Sequence, residues 1–300
     1  MKIIKAAVLE AFRKPLVIRD IPDPALTPDG VILRIKAAGI CRSDWHVWAG
    51  DWDWNGFKVS LPHILGHEFC GVVEEIGQNV TRFKKGDRVI VPFTQGDGIC
   101  PLCISGHQNI CDHLTMPGFS YWGGFAEFVH IPKADINLMS LPDDIPFDHG
   151  AALGCRYMTS FHGLVDQIRL QPGEWISVHG CGGVGLSVIQ IATALGANAI
   201  AVDISDDKLA FAKKLGAVYT INAGNGAAHR EIRELTKGGA HVSVDALGIR
   251  STCQSSIKSL RKRGRHLQIG MTSSEDKGQI PLPIDAIVQK EIEKIGRAHV

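Results

Sequence analysis

Two hydrophobic periodicities divide the chain near residue 150. Before it, the apolar positions fall in strand-length runs at 5–10, 16–19, 31–37, 71–76, 88–91 and 125–131. Turn chemistry separates them, in Pro22-Asp23-Pro24, Pro28-Asp29-Gly30, Gly77-Gln78-Asn79 and Lys85-Gly86-Asp87. Such strands and turns predict an all-β module of partial-barrel type. After it, the pattern predicts a strand over 175–179, a helix over 184–195, a strand over 199–202 and a helix over 206–215 closed by Gly216. Runs at 242–245 and 265–269 read as further strands. Strands alternating with helices form a βαβ succession and hence a parallel sheet. The boundary is expected after Leu141-Pro142-Asp143-Asp144, giving domains 1–152 and 153–294.

Composition narrows the partners. Of 300 residues, 45% are hydrophobic and 21% charged, which excludes a disordered or collagenous chain. Lys and Arg (32) nearly balance Asp and Glu (31), so no broad basic face exists for nucleic acid or an anionic membrane. The longest apolar run, 184–194, is broken by Ser187 and Gln190 and falls short of the ~20 residues of a membrane span. Charged Glu10, Arg13 and Lys14 follow the N-terminus closely, unlike a secretory signal, so the expected compartment is the cytoplasm. Eight cysteines there are expected as thiols, whose spacing speaks of metal or packing before disulfides.

Gly180-Cys181-Gly182-Gly183-Val184-Gly185 fits G-x-G-x-x-G after a predicted strand and at the mouth of a predicted helix. Its glycines allow a tight turn and close backbone approach, and the helix N-terminus aims free amides at a pyrophosphate. The next strand ends in Asp203, at the distance where a carboxylate meets the adenosine ribose and repels a 2′-phosphate. The cofactor expected is therefore NAD rather than NADP.

Cys100, Cys103 and Cys111 cluster with Asp97 in a loop that also holds Gly96, Gly98 and Gly106. Three thiolates and a carboxylate suffice for a closed tetrahedral zinc site of structural type. The competing reading, a redox dithiol at Cys100 and Cys103, lacks a thioredoxin-like context. Elsewhere, Cys41 and His67 sit in turns, and with Cys155 they make a Cys2His set with an open fourth position, as in catalytic zinc. Taken singly, each reads equally well as a buried packing residue.

These residues together resemble the zinc-containing alcohol dehydrogenases of the medium-chain dehydrogenase/reductase family. Gly66-His67-Glu68-x2-Gly71-x5-Gly77-x2-Val80 matches that family's zinc signature, and the likeness runs on through the cysteine loop, the Gly154-Cys155 step and the dinucleotide fingerprint, over about residues 5 to 290. The resemblance implies a GroES-like partial β-barrel followed by a Rossmann doubly wound parallel sheet. It implies two zinc ions per chain, a catalytic one on Cys41, His67 and Cys155 and a structural one on Asp97, Cys100, Cys103 and Cys111, where the family usually has a fourth cysteine in place of Asp97. Glu68 matches an acid near the catalytic metal, and Asp44 the carboxylate that orients the liganding histidine. Ser43 matches the hydroxyl that takes the alcohol's proton, and His46 the outer end of that relay. Arg42 and Lys208 match contacts to pyrophosphate and ribose, and Thr159 a contact to the nicotinamide.

The implied reaction is hydride transfer between an alcohol, or in reverse an aldehyde or ketone, and NAD. Trp45, Trp48, Trp52, Trp54, Phe93, Phe119, Tyr121 and Trp122 are candidates for an apolar wall over the metal, favouring aliphatic or aromatic alcohols. A polyol or amino-alcohol dehydrogenase is the related alternative, against which Cys155 leans, because polyol enzymes often carry an acid there. A non-catalytic zinc- and nucleotide-binding fragment is the third reading, and Ser43 with His46 argues against it. The resemblance further implies a homodimer or homotetramer at full length, and a last sheet strand beginning where this sequence ends. Residues 295–300 read as an artificial tail, since one frame of a common sequencing adapter encodes those six letters.

Overall fold

The computed structural model of the chain describes residues 3–56 and 58–296, in two units that divide between Cys155 and Arg156. The first unit is built on strands β1 (Ile3–Leu9), β2 (Val17–Pro22), β3 (Val31–Gly39), β4 (His63–Ile64), β5 (Glu68–Ile76), β6 (Arg88–Val91), β7 (Phe128–Ile131) and β8 (Met139–Ser140). They form a sheet ordered β2-β1-β4 and another ordered β7-β3-β5-β6-β8, every pairing antiparallel. Alternate residues of these strands point to one side. Val31 and Leu33, Val89 and Val91, and Val129 and Ile131 accordingly meet Phe69 and Val73 in one buried core. The expected run over 125–131 is shorter as a strand, because the Phe125 carbonyl accepts from Ala7 N (2.8 Å) and Phe125 N donates to Leu65 O (3.0 Å).

This unit also holds helices α1 (Arg42–Ala49), α2 (Pro101–Ile104), α3 (Ala134–Asn137) and α4 (Phe147–Ala152). The all-β expectation is corrected here. Residues 41–46, read as a turn, are the N-cap and first turns of α1, and Glu68, read in a turn, opens β5.

The second unit contains α5 (Met158–His162), β9 (Trp175–His179), α6 (Gly183–Ala194), β10 (Asn198–Asp203), α7 (Asp206–Lys214), β11 (Tyr219–Asn222), α8 (Ala228–Leu235), β12 (Ala240–Asp245), α9 (Arg250–Ser259), β13 (Leu260–Gln268), α10 (Ile284–Lys290) and β14 (Glu293–Gly296). Its six strands run in the order β11-β10-β9-β12-β13-β14, and all five pairings are parallel. This is the doubly wound order of the Rossmann fold. Helix α7 shows how the sequence sets an element. The Ser205 side chain caps it by accepting from Lys208 N, Asp206 and Asp207 lie in its first turn, Lys213 and Lys214 in its last, and Gly216 leaves it at φ 111°.

The two faces of this sheet differ in character. Ile176, Val178, Val242, Val244 and Leu267 join the unit's main apolar core. On the other face the register aligns Ser177 with Ser243 and His266, and His179 with Asp245 and Gln268. There Ser177 Oγ meets Ser259 Oγ of α9 at 3.1 Å, and His266 Nδ1 lies 3.1 Å from Ser243 Oγ and 3.2 Å from Ser256 Oγ. Gln268 Nε2 donates to Asp245 Oδ2 at 2.9 Å, and Thr252 Oγ1 to Asp245 Oδ1 at 2.9 Å.

A sixth strand is present, contrary to the expectation that the sequence stops where it would begin. Ile295 pairs with Leu267 and Gly296 with Gln268, so the first two residues of the expected tail are sheet residues. The rest of that tail, 297–300, lies outside the described residues. Among the described residues no helix is long and apolar enough to cross a membrane.

Candidate metal and cofactor sites

The first cluster is assembled by the start of α1, the β4–β5 connection and the helical segment after α4. Ligand atoms of Cys41, His67, Glu68 and Cys155 all lie within 4.8 Å of one another. His67, Glu68 and Cys155 are completely buried. Asp44 arranges this meeting. Its Oδ2 accepts from Cys41 N (2.9 Å), closing the N-terminal cap of α1, while Oδ1 accepts from Gly66 N (3.1 Å) and His67 Nδ1 (3.0 Å). One carboxylate thereby fixes two backbone segments and one ring.

When the ring is neutral, Nδ1 donates to Asp44 and the lone pair of His67 is on Nε2, which is buried with no hydrogen-bond partner. An unpartnered buried nitrogen is costly unless a ligand fills it. The neighbouring thiols agree. The hydrogen bond with Cys155, helped by His67, draws Cys41 down to about 2 against the effect of burial, whereas burial and then Cys41 raise Cys155 well above the ordinary thiol range. Two sulfurs and a carboxylate this close can ionise together only around a cation. The donor set fits zinc.

The second cluster lies in a loop closed by paired backbone bonds between Gln95 and Thr115 (2.9 and 3.1 Å). Asp97, Cys100, Cys103 and Cys111 bring one ligand atom each within 4.8 Å. Cys100 caps α2, its sulfur accepting from Cys103 N at 3.4 Å. Cys111 Sγ accepts from Asp97 N and His113 N, both at 3.3 Å. Asp97 Oδ1 accepts from Ile99 N and Cys100 N (2.9 Å each), and Oδ2 from His113 Nδ1 (2.7 Å). These bonds, the Cys100 amide first, hold the carboxyl far below the usual carboxylate range. A carboxylate offers about four acceptor positions, so one remains for a metal after these three bonds. The backbone is tight here, since a Cβ on Gly96 would lie 2.8 Å from Cys103 Sγ.

Ser43 and His46 are one turn apart on α1 and so share a face. Ser43 is buried, its Oγ 3.8 Å from Cys41 Sγ. His46 Nδ1 meets Asp51 Oδ2 at 2.6 Å, and its ring stacks on Trp52. Arg42 places its guanidinium 3.7 Å from the Trp45 ring centre. Of the eight candidate wall aromatics, Phe93 and Phe119 lie edge-on to His67, with ring centres 6.1 and 5.2 Å away. Tyr121 instead donates to Gln95 Oε1, and Trp48 Nε1 to Lys14 O.

In the second unit, Gly180 turns the chain at φ 95° and Gly182 is the N-cap of α6. A Cβ on Gly185 would sit 1.9 Å from Gly180 O, so the helix approaches the turn only with glycine there. Around Gly182 a Cβ would meet nothing within 4 Å, leaving open space above the free amides of Gly183, Val184 and Gly185. Asp203 closes β10, accepting from Cys181 N (2.8 Å), Ile204 N (2.9 Å) and Ser205 N (3.0 Å), with Lys208 Nζ 3.9 Å away. Thr159 is fully buried in α5. The cradle fits a dinucleotide.

Sequence reasoning missed Asp51, Trp52 as the ring that stacks on His46, and His113. His113 had a signal in lying two residues from Cys111.

A zinc-type donor set in one unit and a dinucleotide cradle in the other define a metal-dependent dehydrogenase. The family model "Alcohol dehydrogenase GroES-like domain" matches residues 27–143, and "Zinc-binding dehydrogenase" matches 183–298. An alcohol dehydrogenase of Geobacillus stearothermophilus is 37% identical over 294 residues, covering 98% of this chain and 84% of the relative. An NAD-dependent alcohol dehydrogenase of Sulfurisphaera tokodaii is 34% identical over 300 residues, covering 98% and 84%. The crystal structure of an alcohol dehydrogenase from Aeropyrum pernix superposes with a TM-score of 0.88 at 32% identity, covering 98% of this chain and 85% of that one. The chain belongs to the zinc-containing alcohol dehydrogenases of the medium-chain dehydrogenase/reductase family.

Proposed function

We propose that the protein oxidises an alcohol to an aldehyde or ketone with NAD as hydride acceptor, and catalyses the reverse reduction. The observation that carries this reading is the buried Nε2 of His67, without a hydrogen-bond partner and grouped with Cys41, Cys155 and Glu68. Cys41, His67 and Cys155 would hold the catalytic zinc. Zinc bound there supplies a Lewis acid, which lowers the pKa of water from ~15.7 toward ~7 in comparable sites. NAD supplies the hydride acceptor.

The protein's own groups do the rest. Asp44 keeps the His67 proton on Nδ1 and so keeps Nε2 a ligand. Ser43 accepts the alcohol's proton as its own hydroxyl proton moves on toward His46, which releases a proton to solvent. Gly180, Gly182, Gly183, Val184 and Gly185 seat the pyrophosphate. Asp203 and Lys208 hold the ribose, and Thr159 meets the nicotinamide. Asp203 favours NAD because a 2′-phosphate would meet its charge. Asp97, Cys100, Cys103 and Cys111 would hold a second zinc, of structural type. Phe93 and Phe119 beside His67 favour an apolar alcohol.

Replacing Ser43 by Ala tests the reading. Alcohol oxidation is expected to fall by about 10²–10⁴-fold, the range of a lost general acid–base group, with the zinc content unchanged. Unaltered turnover would remove Ser43 from the path. Absence of NAD-linked alcohol oxidation by the zinc-loaded wild-type protein would reject the function.

A further inference from the structure

We infer that Asp51 is a positioning residue that fixes the tautomer of His46, so that Nε2 is the basic nitrogen receiving the proton at the outer end of the relay. This deepens the alcohol dehydrogenase reading and rests on it. Helix α1 ends at Gly50 in the left-handed region (φ 65°), and Asp51 N donates back to His46 O at 2.8 Å. That wrap carries Asp51 over the last turn, where its Oδ2 lies 2.6 Å from His46 Nδ1. The two side chains, His46 and Asp51, are only 13% and 11% exposed, so the pair is shielded from solvent competition. Trp52, almost fully buried, stacks on the imidazole with ring centres 4.4 Å apart and planes 8° from parallel. Trp45 meets it edge-on at 5.1 Å and 79°. Ring position and rotation are therefore both set.

A carboxylate only accepts, so in the neutral ring the proton sits on Nδ1 and the lone pair on Nε2. The proton arriving from the alcohol through Ser43 forms the new N–H bond at Nε2, making an imidazolium that still donates from Nδ1 to Asp51. Loss of the Nε2 proton to water restores the neutral ring. Asp51 stays ionised throughout, as the buried aspartate does beside the histidine of serine proteases. Burial holds His46 below the usual histidine range while Asp51 opposes that shift, and Arg42 and Cys41 act on it more weakly. The ring is thus neutral near neutral pH and able to accept.

The test is the ¹⁵N spectrum of histidine-labelled, zinc-loaded full chain, beside steady-state kinetics of Asp51→Asn and Asp51→Glu. Wild-type His46 is expected as the Nδ1–H tautomer. The amide introduced by Asp51→Asn can donate a proton to Nδ1, so in that variant the ring proton is expected to move to Nε2. The kcat/KM for alcohol oxidation should then fall about 10- to 100-fold with KM changing less than about threefold, and its ascending pH limb should move to lower pH. Asp51→Glu should restore part of the rate. A wild-type Nε2–H tautomer overturns the inference, and does so even if the variants fail to fold. An unchanged tautomer and pH profile in Asp51→Asn overturns it too, and leaves the alcohol dehydrogenase reading intact if Ser43→Ala is slow. Wild-type protein with the expected tautomer but no alcohol oxidation rejects that reading instead, while the Asp51–His46 pair stands.

Discussion

Lowering the pH from about 7.5 to about 5 is expected to destabilise the second unit by about 4 kcal/mol through two buried imidazoles of its polar sheet face. Burial pushes His266 down to about 4 and His179 down to about 3, against 6.5 for an ordinary histidine. Both are therefore neutral in the folded protein, while the unfolded chain binds a proton at each below about 6.5. Stability is complete above that value and falls with pH until the folded values are reached. At about pH 5 the gap is about 1.5 pH units per group, or about 2 kcal/mol each. Against a typical total of about 5–15 kcal/mol, the loss is large.

Urea titrations at the two pH values, followed by Trp175 fluorescence in a protein whose other tryptophans are replaced by Phe, would read this unit. Substituting His266→Gln in that background removes one titrating group, so the loss between the two pH values should shrink to about 2 kcal/mol. A loss as large in the variant as in its parent would refute the assignment of the acid sensitivity to His266.

Two further outcomes follow from the site geometry. Asp44→Ala strands Cys41 N, Gly66 N and His67 Nδ1, and is expected to weaken zinc binding by about 10- to 100-fold in competition with a chromophoric chelator. Retained affinity would show that the ligands need no such anchor. Gly185→Ala forces a Cβ against Gly180 O and is expected to destabilise the unit by about 1–3 kcal/mol and weaken NAD binding in calorimetry, whereas wild-type affinity would mean that the turn relaxes freely.

Much of the second unit was legible because its strands are buried and its turn chemistry is specific. Trp175–His179 lies where the sequence predicts it, as does the fingerprint turn between β9 and α6. In the first unit Arg88–Val91 likewise matches, with Val89 and Val91 in the core. Helix α1 was not legible. It buries Ser43 and Asp44 beside Val47 and Ala49, so its inward face carries no apolar stripe. Asp51 was missed with it, since only a helix ending at Gly50 brings that carboxylate back to His46. The opening of β13, Leu260-Arg261-Lys262-Arg263-Gly264-Arg265, carries four cations, and within it only Leu260 and Arg265 pair with β12, on either side of a register shift. The metal clusters were readable as residue types, while the unpartnered Nε2 of His67 required three dimensions.

The two metal clusters place different demands on the folding chain. Asp97, Cys100, Cys103 and Cys111 come from a single loop, so their meeting costs little chain entropy and can occur as soon as that loop has formed. Cys41, His67 and Cys155 span most of the first unit, and Cys155 is its last residue. Their convergence is a long-range event that waits for the antiparallel sheets to register and for the final helical segment to dock. During synthesis, the local cluster is available for metal early, while the set of Cys41, His67 and Cys155 cannot close until the whole first unit has emerged. On the proposed reading, acquisition of the catalytic zinc would be a checkpoint on the completeness of that unit.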